Sequence, residues 1–171
     1  MDENITLVNP PYPEKAYQHP PFIPLGMGYL GAVLEKNGYS VNVIDCQAQK
    51  LTHGDFRREI DRHQPKVVGV TSTTLTYKSA LKIAEITKQI HPDCVTILGG
   101  CHATFWDDKA FEECPQLDMI VRKEGEFTLL EIVNRIMENK RTNDILGTTC
   151  RKDGKTIRNA DRPYIENLDD L

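Results

Sequence analysis

With 171 residues, 39 % of them hydrophobic, and a formal net charge of −4, the chain is sized for one compact domain with a small appendage. An acidic balance without a Lys/Arg run argues against a nucleic-acid partner, and no apolar run approaches the roughly 18 residues of a membrane helix, so no membrane partner is expected either. The five cysteines (Cys46, Cys94, Cys101, Cys114 and Cys150) include no C-x-x-C pair, which excludes a zinc ribbon and a disulfide framework and points to a reducing compartment.

The opening residues "MDENITLVNP" carry neither a basic stretch nor the long apolar stretch of a secretory leader, so a cytoplasmic location is expected. From there short apolar runs alternate with longer amphipathic ones: "ITLVNP", "LGMGYLGAVLEKNG", "SVNVIDC", "GDFRREIDRH", "KVVGVTST", "YKSALKIAEITKQI". This alternation predicts successive β-α-β units, and the nearly continuous apolar strands predict a parallel sheet covered by helices on both faces. Leu30, Val33 and Leu34 share one face of the first helix, and Ala80, Ile83, Ala84 and Ile90 lie along one side of the third. Asn37-Gly38 ends the first helix. The series continues with "CVTILGG", a short helical "DDKAFEEC", a fifth strand "LDMIVR" and the helix "EFTLLEIVNRIMENK". Residues 143–160 predict an edge or satellite hairpin around Asp153-Gly154, and residues 161–171 an exit linker, leaving 1–142 as the main domain.

In an open α/β sheet ligands collect outside the carboxyl ends of the strands, so the loops there carry the candidate chemistry. The first, Asn9 to Gly26, holds six of the ten prolines and is long for a βα connection, which suits either an ordered ligand-bordering loop or a stiff solvent-exposed cover. Asp45 closes the second strand, where it can accept a ligand hydrogen bond or cap a turn. Thr71, Ser72, Thr73 and Thr74 follow the third, more hydroxyls than one helix N-cap needs. The fourth ends in "GGCHAT", Gly99 to Thr104. Two glycines there fit a tight turn or a close backbone approach to a ligand. The fifth is followed by "KEGEFT", where Glu124 and Glu126 flank Gly125 and suit the positive end of the next helix.

Several chemistries fit poorly. There is no G-x-S-x-G nucleophile elbow, and in Cys101-His102 adjacent side chains point apart at a strand end. The other histidines, at 19, 53, 63 and 91, are scattered over loops and helices, so no metal site is expected within this chain. No G-x-G-x-x-G follows the first strand, as a dinucleotide site requires.

Taken in order, "NPP", "PLGMGYLGAVLEKNGYSVNVID", "VGVTSTT", "ILGGCHAT" and "KEGEFTLLEIV" resemble the amino-terminal cobalamin-binding domain of cobalamin-dependent radical S-adenosylmethionine enzymes, a family that includes anaerobic Mg-protoporphyrin monomethyl ester cyclases and methyltransferases. The match runs over about residues 4 to 140, and only Lys123 departs from a G-E-G-E-like pattern at 123–126. The resemblance implies a flavodoxin-like five-stranded parallel sheet of order 2-1-3-4-5 with cobalamin over its carboxyl edge. It assigns the nucleotide tail to Thr71, Ser72, Thr73, Gly99 and Gly100, with Thr74, His102 and Thr104 beside them. Pro21, Leu25, Gly26 and Gly28 of the proline-rich loop and, on the far side, Glu124, Gly125 and Glu126 would border the ring, and Asn9, Pro10 and Asp45 are further candidate cofactor-binding residues. Because no D-x-H-x-x-G follows the first strand, the family implies cobalamin without a histidine ligand. No C-x-x-x-C-x-x-C is present, so the [4Fe-4S] cluster and S-adenosylmethionine are expected on a radical domain beyond the linker, and this chain by itself is expected to bind rather than catalyse. Methyl transfer and oxidative cyclisation are both open for the parent. The competing readings are a flavodoxin-like signalling or flavin-binding domain, and an interaction module that has lost its ligand. On the first reading Gly100→Val abolishes cobalamin binding and Cys101→Ser leaves it nearly intact.

Overall fold

The computed structural model describes residues 5–13, 22–152 and 154–171. The expectations for His19, Pro21 and Asp153 lie outside the described residues. In chain order the elements are β1 (Ile5–Asn9), α1 (Leu25–Lys36), β2 (Val41–Asp45), α2 (His53–His63), β3 (Val67–Thr71), α3 (Tyr77–Ile90), β4 (Val95–Gly99), α4 (Cys101–Phe105), α5 (Asp107–Glu113), β5 (Met119–Val121), α6 (Glu126–Met137), β6 (Thr148–Lys152) and β7 (Lys155–Arg158), with a 3-10 turn at Leu168–Asp170.

The strands form one sheet in the order β2-β1-β3-β4-β5-β6-β7. The first five are parallel in the expected 2-1-3-4-5 order, which makes the fold flavodoxin-like. The C-terminal hairpin joins this sheet: β6 runs antiparallel to β5, with Ile120 opposite Thr149, and β7 antiparallel to β6.

Strand residues alternate between two cores because successive side chains leave opposite faces of a pleated strand. Val8, Val68, Val70, Leu98 and Ile120 pack on one face with Phe56 and Ile60 of α2 and Ala80, Ile83 and Ala84 of α3. Ile5, Leu7, Val67, Ile97, Met119 and Val121 pack on the other with Met27 and Leu34 of α1 and Leu129, Ile132 and Val133 of α6. Burial on both faces is the reason the strands read as unbroken apolar runs. Helix ends follow local chemistry. Gly38, at φ +86°, donates its N–H to Glu35 O at 2.9 Å beyond α1, and Thr52 and Asp55 form a reciprocal capping box at the start of α2.

One local expectation changes. The sequence leaves Cys101 to Phe105 in a loop, whereas these residues form the short helix α4 directly after β4. Gly100 makes this possible by turning the chain at φ +92°, and the hydroxyl of Thr104 donates to Gly100 O at 3.1 Å. Among the described residues no helix is long and apolar enough to cross a membrane.

Candidate functional site: a cleft at the carboxyl edge of the sheet

On the face covered by α1 and α6, the carboxyl ends of β1, β3, β4 and β5 enclose a cleft of about 490 Å³. Its floor is the sheet: Leu7, Gly69, Thr71, Ile97, Gly99 and Val121. Gly26, Met27 and Leu30 of α1 form one wall, Glu126 and Leu129 of α6 another, and Gly100, Cys101, Thr104 and Phe105 close the β4 side. Lys123, Glu124, Gly125 and Tyr164 complete the rim.

The floor is low because two strand positions on this face carry no side chain. At Gly69 a Cβ would stand 3.0 Å from Leu7 Cδ2, and at Gly99 it would meet only Val121 O, at 3.8 Å, with open cleft beyond. Gly69 is a site residue the sequence reading missed. Its signal was present, since an isolated glycine within an apolar strand marks a close approach. Gly100 is different in kind. Its Cβ would stand 2.7 Å from Ser72 N, 3.0 Å from Thr71 Oγ1 and closer still to Ser72 O, so this glycine serves the packing of β4 against the β3 loop.

Of the residues proposed from sequence, Gly26, Thr71, Gly99, Gly100, Thr104, Glu124, Gly125 and Glu126 line the cleft. The others are placed around it, several in structural contacts. Asn9 Nδ2 donates to Asp45 Oδ1 at 2.9 Å, Gln47 Nε2 donates to Asn9 Oδ1 at 3.1 Å and to Pro10 O at 2.9 Å, and Asp45 Oδ1 accepts from the N–H groups of Gln47 and Ala48. Asp45 thus caps the turn after β2, and this network ties the starts of two loops together. Ser72 is buried, and both its N–H and its hydroxyl donate to Gly99 O, at 2.9 and 2.8 Å. Thr73 pairs with Thr76 ahead of α3. Leu25 is exposed at the start of α1, and Gly28 lies one turn on, with open space around its Cα.

His102 is not among the lining residues. Its Nδ1 pairs with the Thr74 hydroxyl at 3.2 Å and its ring stacks 4.3 Å from that of Tyr77. It therefore orders the junction of α4 with α3. Among the described residues no group of three or more His, Cys, Asp or Glu side chains is arranged to hold a metal ion.

Thiol chemistry separates the cysteines. Burial pushes the thiols of Cys46 and Cys94 up to about 12 and raises those of Cys114 and Cys150, while Cys101 is exposed at the cleft. Labelling the native chain with a thiol-reactive chromophore at about pH 8 should therefore modify Cys101 rapidly, the other four reacting only after unfolding.

The rim beyond β5 is built on charge. Lys123 takes a left-handed backbone, φ +61°, at the position where the G-E-G-E pattern has glycine, and its N–H donates to Thr104 Oγ1 at 2.9 Å. Its ammonium pairs with Asp161 at 2.8 Å. Hydrogen bonds from Lys123 and then Arg122 hold the Asp161 carboxyl down at about 2, against an ordinary 3.8. A depressed carboxylate adds stability that is complete above its unfolded value and is lost as pH falls through its folded value. The stability gap between the wild type and Asp161→Asn, followed by thermal unfolding, should accordingly stay constant down to about pH 4 and close between there and about pH 2.

Comparison with known proteins agrees with this geometry. The family model described as "B12 binding domain" matches residues 19–133. An uncharacterized methyltransferase of Pyrococcus horikoshii is 34 % identical over 148 residues, 86 % of this chain and 32 % of the relative. The anaerobic magnesium-protoporphyrin IX monomethyl ester cyclase of Rubrivivax gelatinosus is 33 % identical over 151 residues, 85 % of this chain and 27 % of the relative. The chain thus spans about a third or less of these relatives. Among solved structures, the radical S-adenosylmethionine methyltransferase TsrM from Kitasatospora setae, with cobalamin and a [4Fe-4S] cluster bound, superposes with a TM-score of 0.81 at 21 % identity, over 98 % of this chain and 30 % of that one. The cobalamin-dependent enzyme OxsB, with aqua-cobalamin and S-adenosylmethionine bound, gives 0.80 at 23 % identity, over 94 % of this chain and 22 % of that one. A seven-stranded sheet of this order, a cleft at its carboxyl edge and a family match over most of the chain together place this protein in the B12-binding domain family.

Proposed function

We propose that this chain is the cobalamin-binding domain of a radical S-adenosylmethionine enzyme and that its cleft receives the nucleotide tail of cobalamin. The observation that carries the reading is the floor of the cleft between two helices, where Gly99 leaves the sheet bare and Gly69 beside it gives room to the Leu7 side chain. The residues fit such a group. The walls are mostly apolar, with the hydroxyls of Thr71 and Thr104 among them, and Glu126 Oε2 is buried without a hydrogen-bond partner, an acceptor suited to a ligand N–H or O–H. Cleft shape selects a flat, uncharged moiety and keeps water from it, and the rigid β3–β4 junction at Ser72 and Gly100 holds that shape before binding. His102, engaged with Thr74 and Tyr77, is no cobalt ligand on this reading.

When bound, cobalamin supplies a cobalt centre able to carry a methyl group, the chemistry the protein then positions and shields. The relatives support methyl transfer or oxidative cyclisation in the whole protein, with a [4Fe-4S] cluster and S-adenosylmethionine on its remaining part. On this reading residues 1–142 supply most of the cofactor site, 143–160 hold the hairpin, and 161–171 pass the rim of the cleft, where Tyr164 lies, toward that part.

The test is titration of the chain with hydroxocobalamin, followed by desalting and absorbance. Retained cobalamin at near-stoichiometric yield, with a spectrum that His102→Ala leaves unchanged, is the expected result. A folded chain that retains no colour would sink the reading.

A further inference from the structure

The segment after β7, of which residues 161–171 are expected from sequence to be an exit linker, is bound along its first half. Arg122 Nη2 donates to Asn159 O at 2.6 Å and to Asp161 Oδ1 at 2.8 Å. Gly147 N donates to Ala160 O at 2.7 Å. Arg162 Nε donates to Thr128 Oγ1 at 2.8 Å and its guanidinium also pairs with Glu131, both on α6. Ile165 N donates to Glu124 Oε2 at 2.7 Å, so of the two carboxylates flanking Gly125 one is committed to this segment. Between these anchors Tyr164 is held with Lys123 Nζ 5.3 Å from its ring centre, and it lines the cleft while staying 63 % exposed.

An aromatic ring fixed at the mouth of an apolar cleft, yet mostly in water, has little packing of its own to gain from that position. It gains burial when the cleft fills. Lys123 also accepts a left-handed backbone, which costs free energy for a residue with a Cβ, and its side chain spans Asp161 and Tyr164. Three of the rim residues, Lys123, Glu124 and Tyr164, therefore belong at once to the cleft and to the anchored segment.

We propose that residues 159–165 are a strap forming the outer wall of the cleft, with Tyr164 a ligand-contacting residue, so that filling the cleft and seating the strap strengthen each other. The inference rests on the cleft being the cobalamin site. Coupling of this kind is reciprocal: whatever the strap adds to ligand affinity, the ligand adds to strap docking.

The experiment loads the whole chain with hydroxocobalamin and follows release under excess competitor. Tyr164→Ala should release it about tenfold faster, the scale of one lost aromatic contact, and Tyr164→Phe within about twofold of wild type. The free Tyr164→Ala chain should melt as the wild type does, because the ring is mostly exposed. Amide exchange at Ile165 should slow on loading. Equal release from wild type and Tyr164→Ala, with Ile165 exchange unmoved by loading, overturns the strap while leaving the cobalamin site standing. Failure of the wild type to retain cobalamin overturns the site and the strap with it.

Discussion

Gly100→Ala should destabilise the protein by about 4 kcal/mol or more, lowering its melting temperature by about 10 °C or more, before any ligand is added. Gly100 sits at φ +92° and ψ 175°, a region only glycine occupies without strain. A Cβ there would also overlap the backbone of Ser72, which is fixed by two hydrogen bonds to Gly99 O and has no room to yield. Loss of binding in a Gly100 variant would thus report a broken scaffold. Gly99→Val separates the two effects. Position 99 has an ordinary strand conformation, its Cβ would meet only Val121 O, at 3.8 Å, and a β-branched residue suits a strand. Its stability should remain within about 1 kcal/mol of wild type, while the valine methyl groups fill the cleft floor and weaken hydroxocobalamin binding by about tenfold or more. Thermal unfolding and titration on the same preparations check both. A Gly99→Val chain that folds and binds as the wild type does would show that the bare floor at Gly99 has no part in binding.

Arg122→Met should cost about 3 kcal/mol or more in urea unfolding. Arg122 is 1 % exposed, the largest fully buried side chain among the described residues. Its guanidinium donates to Thr149 Oγ1 and Asn159 O at 2.6 Å each and to Asp161 at 2.8 Å, and it lies 4.0 Å from the buried carboxylate of Asp107. Asp107 also accepts from Thr149 Oγ1 at 2.6 Å and pairs with Arg158 of β7. Removing the arginine leaves a buried hydroxyl and carbonyl short of partners, and that unmet demand costs more than the ion pair itself contributes. Because Arg122 grips Asn159 and Asp161, the same substitution should also speed amide exchange at Ile165. Unchanged urea stability would show that water replaces the guanidinium at no cost.

Much of this molecule was readable in advance. The five parallel strands, the end of α1 at Asn37-Gly38 and the span of α3 follow from period, propensity and caps, which act over a few residues, whereas the order 2-1-3-4-5 is implied only by the family resemblance. The glycines at 99 and 100 were legible as a pair but not as two separate roles, because clearance at one and backbone contact at the other depend on β3 and β5, distant in sequence. Gly69 is legible as an isolated glycine in an apolar strand, but the Leu7 side chain that fills the space beside it comes from β1, distant in sequence. Arg122, a charged residue at a strand end, gave no sign that it would be the largest fully buried side chain among the described residues.

The sequence by itself determined the α/β architecture and the location of the ligand edge, because both follow from hydrophobic period and from chain direction in a parallel sheet. Only the tertiary structure decided which strand-end residues face a ligand and which hold the scaffold. Asp45 and Ser72 are polar residues that find protein partners across loops, in Asn9 and Gly99 O, and Thr73 pairs locally with Thr76, whereas Thr71, Gly99 and Glu126 remain in the cleft wall. It also anchors the tail at Asn159 to Ile165 through Arg122, Thr128 and Glu124. The physical reason is that a hydrogen-bonding group is assigned by the nearest satisfiable partner in space, and for Asp45, Ser72 and the tail that partner comes from a different element of the chain.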